Sequence, residues 1–409
     1  MGRDQRAGNR RPKLRRSVIG RNRFRMLPRA ALTLVAVAAL CAQAQAEVYE
    51  SEEHRFRVVT VVEGVKHPWS IAFLPDGDMF FTQRTGELRL VRDGRLLEQP
   101  LAGVPDALVL GQGGLQEVAV HPDFEANRIV YLSYSKAEGD RNTTALVRAR
   151  LEGDRLHQVE EIFEADAWSG APGHYGAKIA FDGNGHLFMS VGDRMEMPRD
   201  NLESHGAQLL GSHAGVIVRL RDDGSVPDDN PFAGHDGALP EIWSYGHRNP
   251  QGLDYHPATG RLWSTEHGPQ GGDELNLILP GVNYGWPVIG FGVNYGSGTP
   301  IHASSEREGM EQPATYWTPS IGASGLIVYE GNAFPRWRGD LFAGGLARTH
   351  RRLSRIRTDD EGRVVAREPL LKDVYRLRDV RQGPDGFIYL ATDDRSGRLT
   401  DIVRLEPAD

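Results

Sequence analysis

Apolar and polar residues alternate over short stretches of this chain, and no long stretch has the three-to-four-residue spacing of an amphipathic helix. A weak unit recurs six times. It consists of an apolar segment, a turn rich in Pro, Asp and Gly, and a second alternating segment. Alternation with a period of two indicates β-strands, and an Asp-Gly turn between two strands indicates a hairpin. The six copies occupy residues 72–82, 120–133, 180–190, 254–264, 334–343 and 381–391.

This repeat predicts the fold. The 363 residues that follow residue 46 exceed what one compact core usually supports, yet no linker divides them. Six four-stranded units around an axis resolve the conflict, because each unit buries its faces against two neighbours. We therefore predict an all-β fold, a six-bladed β-propeller with four antiparallel strands per blade, formed as one domain by residues 47–409. Pairing of segment 56–62 with segment 401–405 would close the ring. A pair of β-sandwiches is the alternative.

Residues 1–46 have the pattern of a secretory signal peptide. Four arginines lie within residues 21–29, an apolar run fills residues 30–42, and the small residues Ala44 and Ala46 form a cleavage site before Glu47. Thirteen apolar residues are too few to cross a bilayer easily. We predict a periplasmic or secreted protein with no membrane insertion.

Removal of this leader changes the charge of the chain. The leader holds eleven basic residues and one acid, so the remainder has 37 basic and 54 acidic residues and a net charge of −17. A strongly acidic body argues against nucleic acid as a partner. The single cysteine, Cys41, lies in the leader, so we expect no disulfide and no thiol chemistry in the mature protein.

Two loops rich in Gly and Pro carry the most distinctive polar groups. The first, residues 243–252, contains adjacent Arg248 and Asn249. The second, residues 265–276, contains adjacent Asp273 and Glu274. A guanidinium can bind an anion through two hydrogen bonds, and an oxygen-rich loop can hold a hard cation. The pair of loops therefore predicts an anionic ligand beside a metal ion.

Six short motifs stand in order along the chain. They are Gly111-Gln-Gly-Gly-Leu115, Gly173-His-Tyr-Gly176, Ser244-Tyr-Gly-His-Arg-Asn-Pro-Gln-Gly252, Glu266-His-Gly-Pro-Gln-Gly-Gly-Asp-Glu274, Asn283-Tyr-Gly-Trp-Pro287 and Arg376-Leu-Arg-Asp-Val380. Each motif is weak alone, but together they resemble the soluble quinoprotein glucose/sorbosone dehydrogenase family. Within it, the chain is similar to the periplasmic aldose sugar dehydrogenases that use pyrroloquinoline quinone (PQQ). The resemblance covers nearly all of the chain after the leader.

The resemblance implies an activity and two catalytic residues. The enzyme would oxidise aldose sugars at C1 to the lactone, with hydride transfer from C1 to C5 of PQQ. His174 would be the general base that takes the proton of the C1 hydroxyl, since an imidazole can accept a proton near neutral pH. Arg248 would stabilise charge that develops on the quinone. A redox acceptor, not identified by the sequence, would then reoxidise the cofactor.

The resemblance also implies the ligands of PQQ and of calcium. The residues implied for PQQ are Gln112, Arg248, Asn249, Tyr295, Arg348, Arg376 and Arg378. The carbonyl oxygens of Gly268 and Pro269 would bind a Ca²⁺ that also contacts PQQ. Glu274 and the carbonyl oxygen of Tyr284 would hold a second, structural Ca²⁺, and Asp273 would support either ion.

Three positions depart from the family pattern. Gly173 replaces the acid or Asn that often precedes the histidine, so the group that orients the imidazole must come from elsewhere. Lys178 replaces an arginine, and Ala347 replaces a lysine that often reaches the cofactor, with Arg348 beside it as a substitute. Two other functions remain open on a propeller: a calcium-dependent lactone hydrolase and a non-catalytic binding module. A hydrolase of that kind needs a central calcium ringed by acids, whereas this sequence predicts a basic pocket.

Overall fold

In the computed structural model of this protein, residues 47–408 are described, and they form a six-bladed β-propeller. The predicted signal peptide lies outside the described residues and stays a prediction. Two strands, β1 (Val48–Glu50) and β2 (Arg55–Val65), precede the first complete blade. The predicted fold class is confirmed: five sheets have four antiparallel strands, and the sixth has five.

The blades follow one another along the chain. The first contains β3 (Pro68–Phe73), β4 (Met79–Gln83), β5 (Glu87–Arg92) and β6 (Arg95–Leu96). The second contains β7 (Leu115–Val120), β8 (Ile129–Glu138), β9 (Arg141–Glu152) and β10 (Arg155–Glu164). The third contains β11 (Ile179–Phe181), β12 (His186–Val191), β13 (Val216–Arg221) and β14 (Ile242–Tyr245).

The remaining three blades complete the ring. The fourth contains β15 (Pro250–His256), β16 (Arg261–Glu266), β17 (Asp273–Ile278) and β18 (Thr315–Trp317). The fifth contains β19 (Ala323–Val328), β20 (Leu341–Gly345), β21 (Leu353–Thr358) and β22 (Val364–Leu370). The sixth joins β23 (Leu377–Gln382), β24 (Ile388–Thr392) and β25 (Thr400–Pro407) to β2 and β1. Helical structure in the described residues is limited to α1 (Phe124–Asn127) and three short 3₁₀ turns, Leu202–Ser204, Gly206–Gln208 and Pro335–Trp337.

The ring closes as the sequence predicts. Strand β2 pairs antiparallel with β25, so that Val58 lies opposite Leu405 and Val62 lies opposite Ile402. The two ends of the propeller chain therefore share one sheet.

The six sequence repeats mark the same place in each blade. Five of them span the turn that joins the first strand of a blade to the second, as in β3–β4 and β11–β12. The looser copy, residues 334–343, covers the 3₁₀ turn Pro335–Trp337 and most of β20, the second strand of the fifth blade. The repeat therefore identified the two inner strands of five blades and the second strand of the fifth blade.

The hydrophobic core is divided among the blades. Six clusters of buried apolar side chains lie between neighbouring blades, one at each interface of the ring. At the interface that closes the ring, for example, Val62 and Ile402 of the last blade pack in one cluster with Ile71 and Phe81 of the first. Burial is thus distributed around the axis, as expected for a fold in which each repeat contacts only its neighbours.

Candidate active site

A cavity of about 830 Å³ lies at one end of the propeller. Because adjacent strands are antiparallel, the start of a first strand and the end of a second strand lie at the same end of the blade. Side chains from both kinds of position line the cavity. They include Trp69, Tyr175, Asn249 and Arg378 at or before first strands, and Arg84, His267, Ala347 and Asp393 after second strands.

Arginines dominate the charged lining. Five of them, Arg84, Arg348, Arg376, Arg378 and Arg395, line the cavity. Arg378 donates a hydrogen bond from Nη1 to Oε1 of Gln251 at 2.9 Å and lies 5.9 Å from the ring centre of Trp69. Burial, together with the charge of Arg376, lowers the pKa of Arg378 to about 10. The structure thus brings both predicted arginines of the sixth blade to one cavity.

The two carboxylates that line this cavity already have partners. Asp273 accepts backbone hydrogen bonds from Gly268 at 3.0 Å, Gly322 at 2.6 Å and Ala323 at 2.9 Å. It therefore ties the Gly268 loop to the start of β19. Asp393 pairs with His67 at 3.0 Å and with Arg376. With its acids partnered in this way and its arginines in excess, the cavity suits an anion.

The adjacent residues Arg248 and Asn249 face different spaces: Asn249 lines the large cavity, whereas Arg248 lines a second, small cavity described below. The Nη1 atom of Arg248 donates to the carbonyl oxygens of His267 at 3.1 Å and Gly268 at 2.8 Å, and its guanidinium lies 5.1 Å from the ring centre of Trp286. Its Nε atom is buried and has no hydrogen-bond partner among the described residues. Asn249 accepts a hydrogen bond from the backbone N–H of Gly176 at 3.2 Å. Arg248 thus retains hydrogen-bonding capacity that a ligand can use.

His174 is held by a buried carboxylate. Its Nδ1 lies 2.6 Å from Oδ1 of Asp193, and Oδ2 of Asp193 accepts a hydrogen bond from Trp286 at 2.7 Å. Burial raises the pKa of Asp193, but the charge and hydrogen bond of His174 and the charge of Arg248 outweigh it, so that this pKa is lowered. An ionised carboxylate only accepts hydrogen bonds, so Nδ1 of His174 carries the proton. Its Nε2 is left as the basic atom.

The environment of His174 favours the neutral ring. Burial lowers the pKa of His174 against the opposing charge of Asp193. The ring itself is not among the residues that line the cavity, but Tyr175 and Asn249 beside it are. Gln112, also in the lining, accepts a hydrogen bond from the backbone N–H of His174 at 2.9 Å.

Arg194 supports the loop that carries His174. This buried guanidinium donates to the carbonyl oxygens of Gly173 and Ala171 and stacks over the ring of Tyr175 at 3.8 Å. The backbone of His174 has φ 52°, a left-handed conformation that costs a histidine stability and needs such support. The backbone of the loop also packs closely against Gly192. A Cβ at that position would lie 2.3 Å from the carbonyl oxygen of His174, so only glycine fits there.

Four of the five predicted metal ligands, all except Asp273, line a second, small cavity. It has a volume of about 20 Å³ and is lined by Gly268, Pro269, Glu274 and Tyr284, together with Glu266. Glu266 and Glu274 lie opposite each other on β16 and β17. Burial and the charge of Glu266 raise the pKa of Glu274 well above its usual value. Glu266 is already engaged by His247, by the backbone N–H of Arg248 and by the amide of Asn276, so Glu274 and the backbone carbonyls are the oxygen donors left for a Ca²⁺.

Neither of the two calcium sites predicted from the sequence is a cluster of side-chain ligands alone. Within residues 47–408, no group of three or more His, Cys, Asp or Glu side chains is arranged to hold a metal. A cation here would depend on carbonyl oxygens, as the sequence predicts for Gly268, Pro269 and Tyr284. The oxygen of Pro269 has a Ser320 hydroxyl at 3.5 Å, whereas that of Gly268 already accepts a hydrogen bond from Arg248. The phenol of Tyr284 bonds the carbonyl of Leu277 at 2.5 Å and is not directed to a metal.

The other predicted residues lie at the rim or beneath the cavity. Tyr295 and Arg348 line the mouth, and Tyr295 is 68% exposed. Lys178 is buried outside the cavity lining, where its ammonium bonds Glu117 at 2.8 Å and Asp379 at 2.7 Å. The lysine that departs from the family pattern is therefore part of a buried charge cluster in the fold.

Sequence reasoning missed the partner of His174. Asp193 lies two residues after the end of β12, in the loop that follows the second strand of its blade, as do Arg84, His267 and Asp393, which follow their strands directly. That position, read off the repeat, was the available signal. The space next to Gly173 is taken by Met195, whose sulfur lies 2.7 Å from where a Cβ on Gly173 would be. The acid that relatives often carry there would collide with this sulfur.

No helix among the described residues is long and apolar enough to cross a membrane.

Comparison with known proteins agrees with the fold and the motifs. The sequence profile of glucose/sorbosone dehydrogenases matches residues 65–401. Aldose sugar dehydrogenase YliI of Escherichia coli K12 is 40% identical over 353 residues, which cover 84% of this chain and 92% of that protein. A solved structure of a glucose dehydrogenase is 44% identical, covers 86% of this chain and 99% of that chain, and superposes with a TM-score of 0.78.

A further solved structure is the PQQ-bound form of an aldose sugar dehydrogenase from Streptomyces coelicolor. It is 29% identical, covers 86% of this chain and 98% of that chain, and has a TM-score of 0.69. The profile spans most of the chain, and the cation-lined cavity lies where the family's motifs converge. The chain belongs to the glucose/sorbosone dehydrogenase family.

Proposed function

We propose that this protein is a PQQ- and calcium-dependent dehydrogenase that oxidises aldose sugars at C1 to the lactone. The observation that carries this proposal is the juxtaposition of a cavity lined by five arginines with a histidine whose Nδ1 is held by a buried carboxylate. The PQQ-bound relative supports the choice of cofactor.

The lining residues fit a planar anion with three carboxylates. Arg376 and Arg378 would neutralise carboxylate charge at one side, and Arg248 and Asn249 would hold the quinone edge at the other. Gln112, Tyr295 and Arg348 would complete the contacts at the wall and the rim. When bound, PQQ would supply a two-electron acceptor, and Ca²⁺ at the carbonyls of Gly268 and Pro269 would polarise it.

The protein's own part in the chemistry is to move a proton. Asp193 fixes the proton of His174 on Nδ1, so Nε2 can accept the proton of the sugar's C1 hydroxyl. The buried, neutral imidazole needs no deprotonation before it acts. Arg248, with its unpartnered Nε, would stabilise negative charge that develops opposite the base.

The two alternative functions receive less support. A calcium-dependent lactone hydrolase needs an open central site ringed by carboxylates, and here the two lining carboxylates are engaged by backbone N–H groups, His67 and Arg376. A non-catalytic binding module has no need of an oriented general base. The Asp193–His174 pair therefore favours the enzyme.

Two further parts of the function are proposed from the sequence. We place the mature protein in the periplasm or outside the cell because of the signal-peptide pattern in residues 1–46. A separate redox carrier would take the electrons from the reduced cofactor, since the cavity opens to the surface at Tyr295 and Arg348.

Reconstitution of the purified protein tests the proposal. We expect dye reduction with glucose or another aldose only when both PQQ and Ca²⁺ are added, with the lactone as the product. His174→Ala should lower kcat about a hundredfold or more with PQQ affinity retained. Undiminished turnover in that variant would show that His174 is not the base. The absence of any PQQ binding would refute the proposal itself.

A further inference from the structure

A second large cavity lies outside the site described above. It is a groove of about 530 Å³ between the outer strand of the fourth blade, β18, and strands β21 and β22 of the fifth blade. This volume is within the range of ordinary small-molecule sites. We call it the basic groove and define it by Tyr316, Trp317, Arg352, Ser354, Arg367 and Pro369.

Two guanidinium groups face the basic groove with hydrogen-bonding capacity to spare. Arg352 donates from Nε to the carbonyl of His350 at 2.9 Å, and Arg367 donates from Nη1 to Thr315 at 2.8 Å and to the carbonyl of Tyr316 at 2.9 Å. Among the described residues, both Nη atoms of Arg352 and the Nη2 atom of Arg367 have no hydrogen-bond partner. Two guanidinium groups with free N–H donors in one groove can bind a carboxylate or another planar oxyanion.

The two arginines are close enough to affect each other. Burial lowers the pKa of Arg352, Asp373 opposes this effect, and the charge of Arg367 lowers the pKa further. The charge of Glu368, the acid in the lining, is compensated by a cation: Oε1 accepts the backbone N–H of Glu52 at 2.7 Å, and Oε2, which has no hydrogen-bond partner among the described residues, lies 2.9 Å from Nε of the buried Arg355. Repulsion between Arg352 and Arg367 would be relieved by an anion bound between them.

A buried hydroxyl adds a second kind of contact. Ser354 is 3% exposed and lines the groove, yet its Oγ has no hydrogen-bond partner among the described residues. An unpaired buried hydroxyl costs free energy, and a ligand hydroxyl can satisfy it. Beside it, Trp317 and Pro369 provide apolar surface, and the Tyr316 ring is held by stacking on Phe291 at 3.9 Å. Such surfaces pack against the C–H groups of a sugar.

We propose that the basic groove binds a sugar acid, that is, a polyhydroxylated carboxylate. Arg352 and Arg367 hold its carboxylate, Ser354 bonds one of its hydroxyls, and Trp317 with Pro369 contacts its carbon chain. The groove shares only Pro319 with the lining of the PQQ cavity, so its occupation does not require the cofactor. The proposal stands or falls apart from the proposed dehydrogenase activity.

Calorimetric titration with sodium gluconate at constant ionic strength tests the proposal. The protein is first saturated with PQQ and Ca²⁺, which fill the cofactor cavity. If it does not take up PQQ, the titration is repeated with Arg378→Gln, and gluconate affinity that is unchanged in this variant does not come from that cavity. We expect one gluconate per chain and at least about tenfold weaker binding of acetate, phosphate and glucose, each of which lacks one part of the ligand. No heat with gluconate up to about 10 mM would overturn the proposal. Equal binding of acetate or phosphate would reduce the groove to an unspecific anion site and would also overturn it.

Three variants locate the binding. Arg352→Gln and Arg367→Gln should each lower the affinity for gluconate about tenfold, because each substitution removes one charge-assisted contact. Ser354→Ala should lower the affinity for gluconate but leave the weak binding of acetate unchanged. The matched control is Arg363→Gln, since Arg363 is an exposed residue next to β22 that pairs with Asp359 outside the groove. Gluconate affinity that stays unchanged in both arginine variants would place the ligand elsewhere. Circular dichroism of each variant, and the indole signal of Trp317 on titration, separate lost binding from lost folding.

Discussion

Oδ1 of Asp193 lies 2.6 Å from Nδ1 of His174, and the two residues come from loops at the cavity end of the same blade. This contact fixes which ring nitrogen carries the proton. It supplies the orienting group that the sequence around Gly173 does not provide.

The first prediction concerns this pair. Asp193→Asn should lower kcat about a hundredfold, because an amide can present an N–H to Nδ1 and so favour the wrong tautomer. PQQ affinity should change little. Steady-state dye reduction and a PQQ titration measure the two effects. Asp182→Asn is the control, since Asp182 pairs with His186 at 2.9 Å in the turn between β11 and β12, away from the cavity. An equal loss in both variants would mean that the Asp193 effect is only structural.

The second prediction concerns pH. His174 acts as a base only when it is neutral, and burial lowers its pKa from the ordinary value of 6.5. As the pH falls, kcat/KM should therefore stay constant through 6.5 and decline only below it, as the pH passes the lowered pKa. Asp193→Asn removes a charge that raises this pKa, so its decline should begin at still lower pH. A decline centred above 6.5 in the unmodified enzyme would contradict the assignment.

The third prediction concerns cofactor affinity. Arg378→Gln should weaken PQQ binding about tenfold or more, since it replaces a buried cation in the lining by a neutral group. Fluorescence titration of the protein with PQQ measures the change. Arg363→Gln, on the surface outside the cavity, should bind PQQ with unchanged affinity. Unchanged affinity in Arg378→Gln would move the cofactor away from the sixth blade.

The fourth prediction concerns the buried lysine. Lys178→Met should lower the free energy of unfolding by about 3–5 kcal/mol, because it leaves Glu117 and Asp379 without one of their cations. Urea denaturation measures it. Lys136→Met breaks partly exposed ion pairs with Glu161 and Glu164 and should cost about 1 kcal/mol or less. Similar losses of unfolding free energy in the two variants would show that burial of the Lys178 cluster does not increase its contribution to stability.

The fifth prediction concerns calcium. Because Glu266 and Glu274 repel each other beside carbonyl oxygens, Ca²⁺ should raise the Tm, and removal by EGTA should lower it. Glu274→Gln should reduce this calcium-dependent difference. Thermal unfolding with and without Ca²⁺ measures it, and Glu361→Gln, with its exposed side chain on the turn between β21 and β22, is the control. A Tm that does not change with calcium would contradict the prediction of a structural calcium site.

The sequence predicted the inner half of each blade better than the outer half. The repeat captured the turns between strands such as β3 and β4, because those turns are rich in Pro, Asp and Gly and are followed by an alternating segment. The outer strands, for example β6 (Arg95–Leu96) and β18 (Thr315–Trp317), are short and lie at varied distances in sequence. Their pairing is decided by the neighbouring strand, which local pattern does not reveal.

The site shows the same limit. Residues within the six motifs, such as His174 and Arg376, could be named in advance. Their partners could not, because Asp193 and Asp393 stand outside those motifs and reach the site only through the geometry of the ring. Asp193 is 19 residues from His174, so the residues around His174 do not indicate it, and only its place after the third repeat could have done so.

The pairing of β2 with β25 has a consequence for biosynthesis. The first strand of the propeller must wait for the last one to be synthesised before their shared sheet can form. Until then the ring is open, and the loops of the sixth blade that carry Arg376 and Arg378 are not yet placed opposite the others. A nascent chain therefore does not yet have the complete binding cavity, and loss of β2 or β25 would open the ring rather than shorten one edge of a sheet.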